Sequence, residues 1–317
     1  MTRLSCYSAL LFSLVLTSLL VQAKTQQPAQ REYNKITQGD QTLVSYVWQD
    51  SRKTEYYVKA SLDTKLMLDA SRALQQFKPR HLARSLNQAV RKAEVDLPAG
   101  VNLRLVNSGY SYSVHLDGRD ADDIKQAKQI LRRLINQTEN QYLKDRHLTK
   151  FQDGYGMQGI IPDHLYYARA NQQPLAPLIG AFYKQVHQLP PHIAIDRIIS
   201  FVQAIPYSSL DRIESSFISP ASVIFDNKGD CDSKAALAIA LIRGVYPRRK
   251  LAIVYLKKHA LLAVNFGYDV QGDWFNHEGE RWLPAEVAGP SVLAIGKTSI
   301  QSSRELAARA FKLVPVP

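Results

Sequence analysis

Eight consecutive apolar residues, Ala235 to Ile242, follow a polar stretch that reads Asn227-Lys228-Gly229-Asp230-Cys231-Asp232-Ser233-Lys234. A helix that is apolar on every side has no face to offer water, so it must run through the middle of a domain with other elements packed round it. Gly229 supplies the turn into it, Asp230 is a residue type that caps helix N-termini, and Gly244 and Pro247 close it. Cys231 therefore opens a buried helix, where unpaired backbone N–H groups and the positive end of the helix dipole favour thiolate over thiol. Asp230 and Asp232 oppose that charge. Asp230 turns its carboxylate to the amides it caps, and Lys234, one turn on, offsets Asp232. A calcium loop over Asp226 to Asp232 is disfavoured, because Lys228 stands where an oxygen ligand is required.

The chain has one other cysteine, Cys6, inside what reads as a secretory signal over residues 1–23. Arg3 gives the positive start, Ala9 to Val21 the apolar run, and Val21-Gln22-Ala23 the small-residue cleavage site. The run is shorter than the roughly 20 residues that a membrane-spanning helix needs. Cleavage after Ala23 removes Cys6 and sends one thiol into an oxidising compartment, the periplasm or the exterior, with no partner for an internal disulfide. No stable membrane insertion is expected once the signal is gone. The 40 Lys and Arg outnumber the 28 Asp and Glu, but they are scattered. No basic stripe with interleaved aromatics indicates a nucleic-acid partner, and the surplus reads as a solvated surface that tolerates anionic cell-envelope polymers, with a specific acidic substrate as the second reading.

At roughly 150 residues per domain, 317 residues allow about two domains. Residues 24–40 are polar and Gln-rich and read as a loose leader. Residues 41–150 read as an N-terminal α+β accessory domain. Thr42, Val44, Tyr46 and Trp48 alternate, Tyr56 to Ala60 is a second strand run, and helices are expected over Leu66 to Phe77 and from Pro79. Alternating Val101 to Leu105 and Tyr110 to Leu116 form a hairpin about Asn107-Ser108-Gly109, and Asp120, Asp122 and Asp123 open another helix. This half shows no chemistry: His81, His115 and His147 are isolated, and none has a metal-ligand spacing. Residues 151–175, rich in Gly, Pro, Tyr and Asn, read as a surface linker, and residues 176–317 as a second α+β domain.

A nucleophilic thiol needs a base that carries a proton to the leaving group. His259 opens a strand run through Phe266, after the run Leu251 to Leu256. A third group should hold the imidazole in its tautomer, and Asp269, Asp273, Glu278, Glu280 and Glu286 are available. Glu286 stands out because it ends the strand-like stretch Trp282-Leu283-Pro284-Ala285-Glu286. If the three runs pair in order, that end falls beside His259.

Gly-Asp-Cys at a helix start, His-Ala at a strand start and then Trp-x-x-x-acid resemble the transglutaminase-like branch of the papain-like cysteine superfamily. Phe201-Val202-Gln203-Ala204-Ile205-Pro206-Tyr207 is similar to the helix that precedes the nucleophile in bacterial members. The resemblance covers about residues 175–295. It implies a nucleophile helix packed on an antiparallel sheet, with Cys231 as nucleophile, His259 as proton shuttle and Glu286 as orienting acid where the family more often has Asp. Asp230 and Asp232 flank the nucleophile, the Cys231 N–H is a natural oxyanion donor, and Gln203 is a side-chain candidate for the same role. The substrate expected is a protein or peptide, attacked at an amide and resolved by water (peptidase or amidase) or by an amine (crosslinking). No metal or organic cofactor is implied. The alternative is a catalytically silent binding or scaffold module of the cell envelope with the same fold.

Overall fold

A computed structural model describes residues 29–93, 96–108, 111–208 and 217–317. The signal-like segment and residues 24–28 of the leader lie outside them. The chain is mixed α+β with several antiparallel sheets.

The first sheet is a meander of β1 (Gln30–Gln38), β2 (Gln41–Gln49) and β3 (Glu55–Asp63). Residues 30–38, expected as loose leader, are instead a strand paired along β2. Their side chains are mostly exposed, so they carry no apolar alternation to announce a strand; backbone pairing holds them. The alternation read in β2 holds: Thr42, Val44, Tyr46 and Trp48 are buried, opposite Val58, Ala60 and Leu62 of β3. α1 (Thr64–Arg72) stops five residues before the expected end, and α2 (Pro79–Ala93) begins at Pro79. The hairpin is β4 (Asn102–Ser108) with β5 (Ser111–Asp117), its tip outside the described residues. α3 (Ala121–Asp145) is capped by Asp120, which accepts from the N–H groups of Asp122 and Asp123.

Residues 151–175 are more ordered than a draped linker. They include the end of the hairpin β6 (Leu148–Gln152) with β7 (Gln158–Pro162), then α4 (His164–Ala170), which buries His164, Tyr167 and Ala168. Those three lie at the i, i+3, i+4 spacing of a helix face.

α5 (Ala176–Val186), α6 (Pro191–Ala204) and α7 (Pro220–Asp226) lead to the apolar helix α8 (Cys231–Val245). α8 is buried from Ser233 to Ile242 and touches α4, α5, α6 and α7. Gly244 lies inside its last turn, where a Cβ would come within 2.6 Å of Ile179 on α5, so only glycine permits that approach. Beyond it, β8 (Lys250–Tyr255), β9 (Ala260–Asn265), β10 (Phe275–His277), β11 (Glu280–Ala285) and β12 (Lys312–Pro315) form an antiparallel sheet in the order β10-β11-β9-β8-β12. Both faces of its centre are buried. Leu251, Ile253, Leu262 and Val264 join the core around α8, while Ala252, Val254, Leu261 and Ala263 pack with Leu306 of α9 (Ile300–Ala307) on the other face.

Residues 41–150 pack in two parts. The inner face of β2 and β3 shares the core of α5 to α8: Trp48 Nε1 donates to Ser200 Oγ on α6 at 3.0 Å, and Tyr46 Oη to the Ile224 carbonyl on α7 at 2.9 Å. α2 and α3 build two smaller clusters, one around Leu86 with Leu148 of β6 and one around Val90 with the β4–β5 hairpin.

Candidate active site

Asp230 is the N-cap of α8; its side chain accepts from the Ser233 N–H at 2.9 Å, and Ser233 Oγ in turn accepts from the Ile218 N–H at 2.8 Å. The turn before it is laid against the end of α6: Gly229 N–H donates to the Pro206 carbonyl, and Ser208 N–H to the Gly229 carbonyl, both at 3.2 Å. The two stretches that carry the family resemblance, 201–207 and 229–234, are therefore neighbours in space. Cys231 is partly exposed at the first position of α8. Its sulfur accepts from the N–H of Ala260 at the start of β9, and its thiol donates weakly to Asp232 Oδ1 at 3.6 Å.

Burial, followed by the carboxylates of Asp232 and Asp230, pushes the Cys231 thiol well above its ordinary range; the Ala260 N–H acts in the opposite sense. This reverses the expectation of a thiolate favoured by the helix terminus. A partly desolvated sulfur between two carboxylates is held as a thiol, and chemistry at it requires a base. Burial also raises Asp232, against the opposing pull of His164. Tyr207, half-exposed, stands close enough that Cys231 is the second cause, after burial, of its raised phenol pKa.

His259 precedes β9 directly, and the antiparallel register sets Ala285 of β11 opposite Leu262. That brings the end of β11 to the start of β9. His259 Nε2 lies 2.6 Å from Glu286 Oε2, with the imidazole about a quarter exposed and the carboxylate nearly covered. The other carboxylate oxygen, Oε1, accepts from the Ser299 N–H at 3.0 Å and from Ser302 Oγ at 2.9 Å. Burial alone would raise Glu286; the hydrogen bond and charge of His259, with those two donors, bring it below the usual carboxylate range. With Nε2 bound to a carboxylate, Nδ1 is left as the basic nitrogen.

The other four acids are elsewhere. Asp269 pairs with Arg281, Asp273 with Lys297 and Glu278 with His277, all three acids exposed in the connections between strands, and Glu280, at the start of β11, pairs with Lys250.

Gln203 is buried, but its amide is fully committed. Nε2 donates to the carbonyls of Glu286 at 2.7 Å and Leu293 at 3.1 Å, and Oε1 accepts from the Leu293 N–H at 2.8 Å. An NH₂ has two hydrogens, so none remains for an oxyanion. Gln203 holds the segment carrying Glu286, a correction to the helper role expected for it. Asp196, on the same helix, holds that segment further along through the Ile295 N–H.

Two residues next to the site were not foreseen. His164 is buried on α4, hydrogen-bonded through Nδ1 to Tyr255 Oη at 2.8 Å, and burial lowers its pKa. A lone histidine in a Gly- and Pro-rich stretch carries no signal of this. Lys234 does not offset Asp232 at the surface; it is fully buried, and its Nζ donates to the carbonyls of Gln203, Ile205 and Ala288. Its signal was a charge inside the first turn of a helix otherwise apolar all round. Among the described residues no three His, Cys, Asp or Glu side chains are grouped to hold a metal, and no helix is long and apolar enough to cross a membrane.

No model of a protein family matches the chain, and comparison with curated proteins and with solved structures likewise returns no match.

Proposed function

We propose that this is an exported, cysteine-dependent enzyme for acyl transfer at amide or peptide bonds, with a transglutaminase-like core of the papain-like type from about residue 176 onward. The observation that carries the reading is the 2.6 Å His259–Glu286 bond, formed where the adjacent residue, Ala260, gives its N–H to the Cys231 sulfur. The packing of α8 against β9 of an antiparallel sheet supports the core assignment. Export rests on the signal-like residues 1–23 and on the single thiol that remains after them.

In this reading His259 Nδ1 takes the thiol proton as the Cys231 sulfur attacks the carbonyl carbon, and Glu286 stabilises the imidazolium that forms. The oxyanion is met by the Cys231 N–H, one of the four that a helix leaves without an intrahelical partner. The imidazolium then protonates the departing amine as the C–N bond breaks, leaving a thioester that water or a second amine resolves. A thiol held neutral at rest suits this sequence, in which the proton moves during the attack.

The same raised thiol pKa favours the second reading, a silent envelope-binding module. The two separate under an iodoacetamide pulse followed by intact-mass analysis. The enzyme reading expects one carbamidomethyl group on Cys231 and a rate that falls in His259→Asn. A thiol inert in the folded protein at every pH up to 10 would overturn it.

A further inference from the structure

Lys234 occupies a place where a methionine or leucine would complete the core. Its side chain is fully covered, and its nitrogen meets three backbone carbonyls from two other parts of the chain. Those of Gln203 and Ile205 are at the end of α6, where carbonyls lose their helical partners. That of Ala288 is two residues beyond Glu286. Three acceptors match the three hydrogens of an ammonium, whereas a neutral amine would leave one carbonyl without a donor. Burial lowers the Lys234 pKa to about 7, against the opposing pull of the Asp230 carboxylate.

The segment it grips is the one that delivers Glu286. Gln203 holds the Glu286 carbonyl, and Gly289 rests so close to α6 that a Cβ there would lie 2.3 Å from the Gln203 carbonyl oxygen. Gly289 also has φ +71°, a conformation that side chains other than glycine's resist. Lys234 is thus the point at which the helix that begins with Cys231 is tied to both the end of α6 and the strand exit that carries Glu286.

We propose that Lys234 is a positioning residue: by donating to the Gln203, Ile205 and Ala288 carbonyls it fixes the Glu286 segment against the nucleophile helix and so keeps the Glu286 carboxylate on His259. This rests on the reading of His259 and Glu286 as parts of one site. A purely structural role would stabilise the fold without governing that bond.

The test is the imidazole N–H proton of His259, which a bond as short as 2.6 Å to a carboxylate moves far downfield in the proton NMR spectrum. It is assigned by its loss in His259→Asn and Glu286→Gln. In Lys234→Met, folded by circular dichroism, the resonance should be lost or move upfield, and Lys234→Arg, which restores a cationic donor, should recover it in part. Gly289→Ala, which leaves Lys234 intact but forces the same segment off α6, should also lose it, and this variant decides the matter should Lys234→Met fail to fold. An unchanged resonance in folded Lys234→Met, or in Gly289→Ala, overturns the proposal. If no resonance depends on Glu286, the His259–Glu286 pair itself is wrong and the inference falls with it.

Discussion

Replacing Glu286 with glutamine keeps the side-chain shape and removes the charge. In the wild type the carboxylate receives three hydrogen bonds, from His259 Nε2, the Ser299 N–H and Ser302 Oγ. A glutamine has one carbonyl oxygen, which can serve the two serine donors, and its NH₂ then meets Nε2 as a neutral donor, so the charge assistance is lost and the imidazole proton is driven to Nδ1. The lost interaction is a charge-assisted bond to a nearly covered group, worth about 1.5–3 kcal/mol, so urea unfolding at pH 7 should find Glu286→Gln less stable by that amount. Because the folded carboxylate titrates below its unfolded value, its contribution is present above the unfolded pKa and is lost as pH falls through the folded one. The gap between the two proteins should therefore hold through the neutral range and close in acid, below the ordinary glutamate range near 4.3. A gap that stays constant down to pH 2, or none at pH 7, would refute the hydrogen-bonded His259–Glu286 arrangement.

Asp232→Asn removes the carboxylate that, after burial, most raises the Cys231 thiol, so the iodoacetamide rate against pH should shift to lower pH than in the wild type; an unchanged profile would place Asp232 away from the sulfur. Tyr46→Phe removes the closer of the two tyrosine hydroxyls that donate to the buried Ile224 carbonyl, Tyr33 Oη at 3.3 Å being the other, and should cost about 0.5–1.5 kcal/mol in urea unfolding, whereas a neutral result would detach Tyr46 from the main core. Asp273→Asn loses only an exposed pair with Lys297 and should change stability by less than about 1 kcal/mol; a larger loss would mean that the connection between β9 and β11 bears on the core.

Local patterns were legible wherever one residue type decides the outcome. The all-apolar Ala235 to Ile242 run could only be a central helix, Asp230 and Asp120 cap as their chemistry requires, and the alternation of β2 faces the core. The ordering of strands also read correctly, since antiparallel pairing of β9 with β11 puts Glu286 at His259. What could not be read was which distant segments share a core. β1 is held by backbone pairing and has no apolar stripe, and α4 hides a helix face in a stretch whose glycines and prolines look like linker. The roles of Gln203 and Lys234 are set by the backbone carbonyls and N–H groups of segments 83 and 54 residues away, and main-chain groups leave no mark in a sequence. The Cys231 environment departs from the expectation for a related reason: the helix terminus is visible in sequence, but the burial of the sulfur is not.

In the proposed reaction His259 makes the Cys231 sulfur an acyl acceptor. p-Nitrophenyl acetate tests it without knowledge of the natural substrate, since attack by the sulfur releases p-nitrophenolate and leaves an acetyl thioester on the protein. Rapid-mixing absorbance together with intact-mass analysis should find one acetyl group on Cys231, none in Cys231→Ala, and a rate of formation lower by about 10²–10⁴ in His259→Asn, the range expected for loss of a general base. Acetylation of Cys231 at the same rate in His259→Asn, or release of p-nitrophenolate without any acetyl group on Cys231, would contradict the account.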